Sequence, residues 1–142
     1  MNAFAFTGTR AGLTAAQHAA LERELLRLRD AGFDVAHNGA AIGADLEAAL
    51  LCKKVGFRII AHPSNLITKT AEIPHDEIHE KAAPKKRDRA MVDAAEILVA
   101  CPGAREPVKG SGTWYTIAYA RRRGVPVRFV WPDGEVTDDL PT

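Results

Sequence analysis

Long apolar runs and a charge of one sign are both missing from this 142-residue chain. Its unbroken apolar runs reach only about four to six residues, whereas a helix needs about 20 to cross a bilayer, so we expect no membrane span. Nineteen Lys and Arg oppose eighteen Asp and Glu, which leaves a net charge of +1. Because a nucleic-acid surface usually carries a basic excess, this balance argues against nucleic acid as a partner.

Cysteine is scarce, and a secretory signal is absent from the printed sequence. Cys52 and Cys101 form no C-x-x-C pair, so they are expected to be buried thiols in a reducing cytosol. Met1-Asn2 leads straight into Ala3–Phe6 without a basic segment, which argues against secretion. These features predict a cytoplasmic protein.

Several common catalytic motifs are also absent. There is no G-x-x-x-x-G-K-[ST], and no G-x-G-x-x-G follows the first apolar run, which disfavours kinase-like and ordinary NAD-dependent enzymes. Ser111 and Thr113 have no His and Asp at readable spacing for nucleophilic catalysis. A helix from Pro74 would place His75 and His79 on one face, but H-E-x-x-H and a third ligand are missing, so neither a metal nor a cofactor is predicted.

Short apolar runs alternate with helical stretches along almost the whole chain. Such runs are typical of strands buried on both faces, and their alternation with helices predicts a parallel sheet. We therefore expect one α/β, Rossmann-like domain of three layers over residues 1–142, with about five parallel strands and helices on both faces. The strand candidates are Ala3–Thr7, Phe33–His37, Phe57–His62, Ile97–Cys101 and Val127–Trp131.

Capping signals delimit the predicted helices. Thr14 and Gln17 fit a capping box, and Gly32, Gly56 and Gly124 stand where helices end. The connection over residues 63–86 is long for a compact domain, so it is predicted to be a loop or a polar lid. An acidic tail is predicted over residues 132–142.

Three loops that follow strand candidates combine glycine with a hydroxyl or an amide. Such loops let backbone amides approach an anion at a helix N-terminus, although glycines that only form tight turns remain an alternative for each loop. The three loops begin at Thr7-Gly8-Thr9-Arg10, at Asn38-Gly39 and at Pro102-Gly103. Since the C-terminal ends of parallel strands share one sheet edge, the loops together predict a phosphate or carboxylate site.

Charged residues near these loops allow two interpretations each. Arg10 is either a phosphate ligand or a solvated residue, and Asp45 either caps a helix or binds a ribose hydroxyl or a leaving group. Four cations at a helix start, Lys85, Lys86, Arg87 and Arg89, oppose the helix dipole unless an anion offsets them, but they also fit a solvated face.

The ordered set of motifs resembles the SLOG superfamily, the Rossmann-like group that contains DprA, the Lonely Guy phosphoribohydrolases and the YspA-related proteins. The resemblance covers about residues 3–131 and implies a strand order of 3-2-1-4-5. It implies a nucleotide-like ligand near the first and fourth strands. The motifs that carry it are Thr7–Arg10, Asn38–Asp45, Arg87-Asp88-Arg89-Ala90-Met91-Val92, Pro102-Gly103 and Gly112-Thr113.

Residue by residue, the resemblance predicts a ligand site and three candidate catalytic residues. The catalytic candidates are Arg87, Asp45 and the lid carboxylate Glu80, with Glu77 as an alternative to Glu80. The phosphoribohydrolases have a glutamate where Thr116 stands here, which argues against their mechanism because a hydroxyl cannot replace a carboxylate beside an oxocarbenium-like state. The predicted ligand-binding residues are Gly8, Thr9, Arg10, Asn38, Gly39, Gly43, Asp45, Pro102, Gly103, Gly110, Ser111, Gly112 and Thr113.

Three functions follow from these predictions. The first is binding of a nucleotide or nucleotide-derived small molecule; the second is hydrolysis of an N-glycosidic bond in a nucleotide. The third is DprA-like binding of single-stranded DNA, which the near-neutral charge disfavours. The apolar side of the segment Trp114–Tyr119 suggests a homodimer or higher oligomer, with packing on the sheet as the alternative.

Overall fold

A seven-stranded sheet with helices on both faces forms this single α/β domain. The computed structural model of the chain describes residues 2–139. The strands are β1 (Asn2–Gly8), β2 (Phe33–Asn38), β3 (Arg58–Ala61), β4 (Glu77–Ile78), β5 (Ile97–Cys101), β6 (Val127–Val130) and β7 (Val136–Asp139). The helices are α1 (Ala15–Asp30), α2 (Ala44–Val55), α3 (Pro84–Asp93) and α4 (Gly112–Arg123).

The strands are ordered β4-β3-β2-β1-β5-β6-β7, and all pairs are parallel except the antiparallel β6–β7 pair. The five predicted strands are present in the expected order, with bounds that agree to within one residue. The predicted number of strands is wrong, since β4 and β7 extend the sheet at its two edges.

Strand β4 lies in the segment that the sequence predicted to be a loop or a polar lid. A helix from Pro74, which would have placed His75 and His79 on one face, does not form because the segment is extended and pairs with β3. The backbone amides of Asp76 and His79 donate to the carbonyls of Ile59 and Ala61, at 2.8 and 2.9 Å. Both residues of β4 are exposed, so no apolar pattern marks the strand in the sequence.

The connection over residues 63–86 is anchored to the rest of the domain. It contains a 3-10 turn at Ile67–Lys69, and the Lys69 carbonyl accepts from the amide of Ile42 at 3.1 Å. The amide of Ala71 donates to the carbonyl of Ala40 at 2.7 Å. Movement of this segment as a lid stays a prediction.

Over its described residues, the predicted acidic tail consists of a turn at residues 132–134 and the edge strand β7 over Val136–Asp139. Strand β7 pairs with β6, and the carboxylate of Asp138 accepts from Arg128 Nε at 2.8 Å. Asp139 likewise accepts from Arg121. Arginines of neighbouring elements therefore neutralise these two carboxylates. Residues 140–142 of the predicted tail lie outside the described part.

The predicted helix ends are confirmed. Thr14 and Gln17 form the capping box of α1, and a left-handed glycine at Gly56 ends α2. Gly124 ends α4 in the same way, and the Ser111 hydroxyl caps the start of that helix by accepting from the Trp114 amide. Helix α4 therefore begins at a defined point beside the end of β5.

The core lies on both faces of the sheet because side chains of a strand alternate between faces. Phe4 and Phe6 of β1 pack with α1 and α2, and the rings of Phe4 and Phe57 meet edge to face at 5.1 Å. Ala5 faces the opposite side, in a second cluster with Leu98 and Ile117. Both clusters stop at the C-terminal ends of the central strands, where the polar loops begin.

Two buried thiols confirm the expectation for the cysteines. Cys52 and Cys101 are buried and free, and burial raises the pKa of Cys52 to about 12.

Within residues 2–139, no helix has both the length and the apolar character that crossing a bilayer requires.

A buried glutamine ties α1 to the sheet edge that carries the glycine-rich loops. Gln17 is 1% exposed, and its Nε2 donates to the carbonyls of Pro102 at 3.0 Å and Val130 at 2.8 Å. Pro102 directly follows β5, and Val130 is the last residue of β6. One side chain therefore satisfies acceptors at the ends of two strands.

Substituting Gln17→Leu should lower the free energy of unfolding by about 2–4 kcal/mol, because two buried carbonyls lose their donor and the capping box is broken. Urea denaturation measures the change. Arg23→Leu, on an exposed position of the same helix, is the control and should stay within about 0.5 kcal/mol of the wild type. Equal stability of both variants would contradict the assigned role of Gln17.

Candidate functional site

The loops after β1 and β2 are packed against each other at the C-terminal edge of the sheet. Gly43 has a φ of +87°, and a Cβ atom there would collide with the carbonyl of Arg10. The amide of Ala44 donates to the carbonyl of Thr9 at 3.0 Å. A Cβ on Gly8 would lie 2.6 Å from the Cβ of Ala44. Gly8 and Gly43 therefore permit the contact that brings Arg10 beside the start of α2.

The loop after β5 leads to an open helix N-terminus. Ser111 caps α4 by accepting from the amide of Trp114 at 3.3 Å. Among residues 2–139, no acceptor takes the amides of Gly112 and Thr113, the first two residues of the helix. Free amides and the positive end of the helix dipole together favour an anion at this point.

A cleft of about 480 Å³ lies between these loops and α3. Apolar side chains, among them Phe6, Met91 and Trp114, form part of its wall. The loops after β1 and β5, the first turn of α2 and the first half of α3 all contribute to it. The predicted site residues that line it are Gly8, Thr9, Arg10, Asp45, Arg87, Gly103, Gly110, Ser111, Gly112 and Thr113.

Four other predicted ligand residues support the loops from behind the cleft. Asn38 is buried, donates to the carbonyl of Asp45 at 2.9 Å and accepts from the amide of Ala40. The carbonyl of Gly39 accepts from Arg87, and that of Pro102 accepts from Gln17. Gly43 makes the loop contact with Arg10 described above. These residues hold the loops in place and do not line the cleft.

The carboxylates of the 63–86 segment lie away from the cleft. Glu80 lines a second cavity with His62, His79 and Lys86, and Arg87 is the residue that this cavity shares with the cleft. Glu77 is exposed on β4 and lies 3.7 Å from Arg58. Neither lines the cleft that Asp45 and Arg87 share, because β4 is an edge strand and three strands separate it from β5.

The two arginines of the cleft differ in how their donors are used. Arg87 donates through Nε to Asp88 at 2.6 Å and through Nη1 to the carbonyls of Gly39 and His62. Arg10 is exposed and takes part in none of the ion pairs formed among residues 2–139. Arg10 is therefore the cleft arginine that has no competing carboxylate partner among residues 2–139.

Asp45 lies in the first turn of α2 and does not cap it. Its Oδ2 accepts from the amide of Ala41 at 3.1 Å, and the N-cap residue is Gly43. Burial raises the pKa of Asp45 to about 7, although the Ala41 amide and the Arg87 charge oppose the shift. A carboxyl that titrates near neutrality can both hold and release a proton.

Asp88 is a second cleft carboxylate that sequence reasoning passed over. It is 7% exposed and lines the cleft from α3. Burial raises its pKa, while the Arg87 charge and the hydrogen bond from Arg87 lower it. Thr116 itself is fully buried, and its hydroxyl donates to the carbonyl of Gly112. The only sequence signal for Asp88 was its place next to Arg87.

Three histidines adjoin the same end of the sheet. Nδ1 of His37 and Nε2 of His62 lie 2.8 Å apart, and the rings of His62 and His79 have centroids 4.3 Å apart. Burial, followed by the neighbouring His37, His79 and Arg87, lowers the pKa of His62 to about 3. The pair His37–His62 is therefore neutral at physiological pH.

Comparison with solved structures shows the class of fold. The molybdenum cofactor binding protein from the phototrophic bacterium Rippkaea orientalis superposes with a TM-score of 0.71 at 17% identity, over 92% of this chain and 76% of that one. The molybdenum cofactor carrier protein of Chlamydomonas reinhardtii gives 0.68 at 19% identity, over 91% and 76%. The chain thus has the fold of the SLOG/DprA-like Rossmann group, as its motifs predicted.

A third similar structure is DNA processing protein A from Helicobacter pylori, with a TM-score of 0.62 at 17% identity over 90% of this chain. This chain spans 64% of that protein. No protein-family model matches the chain, and no curated protein matches it in sequence.

The prediction that disfavoured nucleic acid as a partner is wrong. The Helicobacter pylori structure is described by its single-stranded DNA binding mode, and it shares this fold. The prediction failed because the net charge of the whole chain does not show where positive and negative residues cluster. Lys85, Lys86 and Arg89 gather on one face of α3, while the compensating Asp138 and Asp139 pair with arginines at the far edge of the sheet.

Asp45→Asn should change how stability depends on pH. The pKa of Asp45 is raised from an ordinary 3.8 to about 7, so its contribution is fully present below about pH 4 and is lost as the pH rises through 7. The variant should therefore gain stability relative to wild type between pH 5 and 8, by about 1 kcal/mol per pH unit up to pH 7.

Urea denaturation at several pH values tests this expectation. Asp93→Asn, which changes an exposed carboxylate at the end of α3, is the matched control. An Asp45→Asn curve that stays parallel to those of wild type and the control would contradict a raised pKa at Asp45.

Proposed function

We propose that this chain binds a nucleotide or a nucleotide-derived small molecule in the cleft, with a phosphate at the N-terminus of α4. The fold group and the cleft support ligand binding at a coarse level. The finer identification rests on the chemistry of the α4 N-terminus and of Arg10.

Gly112 carries this proposal. A Cβ atom on this residue would meet no heavy atom within 4 Å, and its φ lies outside the left-handed region. Neither packing nor backbone conformation therefore requires glycine at this position, yet Gly112 lines the cleft at the first turn of α4. The fold does not need a glycine here, and the amides of Gly112 and Thr113 are free. A glycine at this position therefore suits the close approach of a phosphate.

Arg10 adds the charge that such an anion requires. Its guanidinium lines the cleft and is exposed, and guanidinium groups bind phosphate through paired donors. The hydroxyls of Thr9 and Thr113 line the same cleft. The base of a nucleotide can pack against apolar residues of the cleft wall, such as Met91 and Trp114.

Hydrolysis of an N-glycosidic bond is a second candidate, and the pKa of Asp45 near 7 favours it. A protonated Asp45 can donate to a leaving base, and Asp88, paired with Arg87, is the second carboxylate in reach of the cleft. Release of free base from nucleoside monophosphates, followed by chromatography, tests this activity. Release that persists in Asp45→Asn would rule out the assigned acid.

Single-stranded nucleic acid is a third candidate because the cleft continues outward. A neighbouring cavity of about 400 Å³ shares Arg10, Asp88 and Trp114 with it and adds Lys85 and Tyr115. Cations and aromatic rings along one groove are the features that bind single strands. Fluorescence anisotropy with a labelled oligonucleotide at several salt concentrations tests it, and a steep decrease of affinity with salt is expected.

Gly112→Ala should separate ligand binding from folding. The new methyl group would occupy open space at a residue that lines the cleft, so we expect at least a tenfold weaker affinity for a nucleoside monophosphate in isothermal titration calorimetry. Stability should stay equal or rise by up to about 1 kcal/mol, because alanine favours the helix. Gly124→Ala, at the other end of the same helix, is the control. Its φ of +71° predicts a loss of stability without a loss of affinity.

A Gly112→Ala variant with wild-type affinity would contradict the proposed position of the phosphate. Inorganic phosphate as a competitor provides a second measurement, since it should displace the nucleotide from wild type.

A further inference from the structure

We infer that Asp45 and Asp88 form a hydroxyl-recognition pair within the cleft, which selects ligands that carry a ribose diol beside the phosphate. This inference rests on the proposed function and adds the class of sugar to it. Four observations support it: the placement of the two carboxylates, their free acceptor atoms, the engagement of Arg87 and the charge balance of the cleft.

The two carboxylates reach the same cleft from different helices. Asp45 belongs to the first turn of α2 and Asp88 to α3, and each is 7% exposed. A Cβ on Gly39 would lie 3.0 Å from Asp45 Oδ2 and 2.8 Å from Arg87 Nη1. Since Arg87 also holds Asp88, the two carboxylates flank one guanidinium.

Both carboxylates keep acceptor capacity toward the cleft. Oδ2 of Asp45 accepts from the Ala41 amide, but no donor within residues 2–139 reaches Oδ1. Over the same residues, no fully buried side-chain polar atom is left without a hydrogen bond. Oδ1 of Asp45 is therefore open to the cleft. Asp88 accepts from Arg87 through Oδ1, and a carboxylate offers about four acceptor positions in all.

Arg87 already uses two of its three nitrogens within the protein. Its Nε and Nη1 are engaged with Asp88 and with the carbonyls of Gly39 and His62. A phosphate beside Asp45 and Asp88 would meet two acceptors, and among residues 2–139 only Nη2 of Arg87 has no hydrogen-bond partner to offer it. The phosphate is therefore expected toward Arg10 and α4, and the Asp45–Asp88 part of the cleft needs a group that donates.

A pair of sugar hydroxyls meets this requirement best. Hydroxyls donate to carboxylates and bring no charge, whereas a metal ion would be repelled by Arg10 and Arg87, which line the same cleft. Carboxylates bind vicinal ribose hydroxyls in this way in other Rossmann-like sites. A ligand with a 5′-phosphate and a ribose diol therefore suits both parts of the cleft.

Isothermal titration with the four ribonucleoside 5′-monophosphates and their 2′-deoxy counterparts tests the inference. At pH 8, where Asp45 is ionised, we expect wild type to prefer the ribonucleotide that binds best about 10- to 100-fold over its 2′-deoxy form, as the loss of a hydrogen bond to a charged acceptor implies. Asp45→Asn and Asp88→Asn should each reduce this preference below about threefold. Asp93→Asn, the same change outside the cleft on α3, should keep it.

The outcomes separate the inference from the function on which it rests. Equal affinity of wild type for both sugars, or a preference for the 2′-deoxy form, overturns the inference and leaves phosphate binding intact. Tighter binding of a 2′-amino-2′-deoxynucleotide than of the ribonucleotide would assign the pair to a cation and also overturn it. If neither the nucleotides nor inorganic phosphate bind, the proposed function fails and the inference with it. If a variant does not fold, the inference is tested by wild type alone, through the ratio of its affinities for the ribonucleotide and the 2′-deoxynucleotide.

Discussion

The candidate site depends on the close approach of the loop after β1 to the loop after β2. Gly43 allows the carbonyl of Arg10 to pack against it, and the amide of Ala44 closes the contact by donating to Thr9. A side chain at residue 43 would push the loops apart, because its first carbon would overlap backbone atoms. With the loops in contact, the Arg10 guanidinium and the Asp45 carboxylate enter one cleft, and the capped start of α4 completes it from the other side.

Charge within this cleft is balanced and unevenly distributed. Two arginines and two aspartates line it, but Arg87 is engaged with Asp88, whereas Arg10 is exposed. The part near α4 is therefore electropositive, and the part near α2 and α3 is rich in acceptors. A ligand with an anionic end and a hydroxylated middle fits this distribution better than a uniformly anionic one. The same division explains why the net charge of +1 said little about binding.

Much of the fold could be predicted because buried parallel strands leave a strong apolar signal, as in Ile97–Cys101. The shared edge of the glycine-rich loops followed from the same topology. Strand β4 could not be predicted, since backbone hydrogen bonds hold two exposed residues. Strand β7 is polar and pairs its aspartates with arginines far away in the sequence. Asp88 was missed as a site residue because only the packing of α3 beside the cleft reveals its position.

The central claim is that the amides at the start of α4 and the loop after β1 bind an anionic ligand. Backbone amide chemical shifts of the ¹⁵N-labelled protein, followed while a ribonucleoside 5′-monophosphate is added, test it most directly. The largest saturable shifts are expected at Gly8–Arg10 and Gly110–Thr113, with small changes around His79 and Lys86 in the second cavity. No saturable shift, or shifts concentrated at His79–Lys86, would contradict the account.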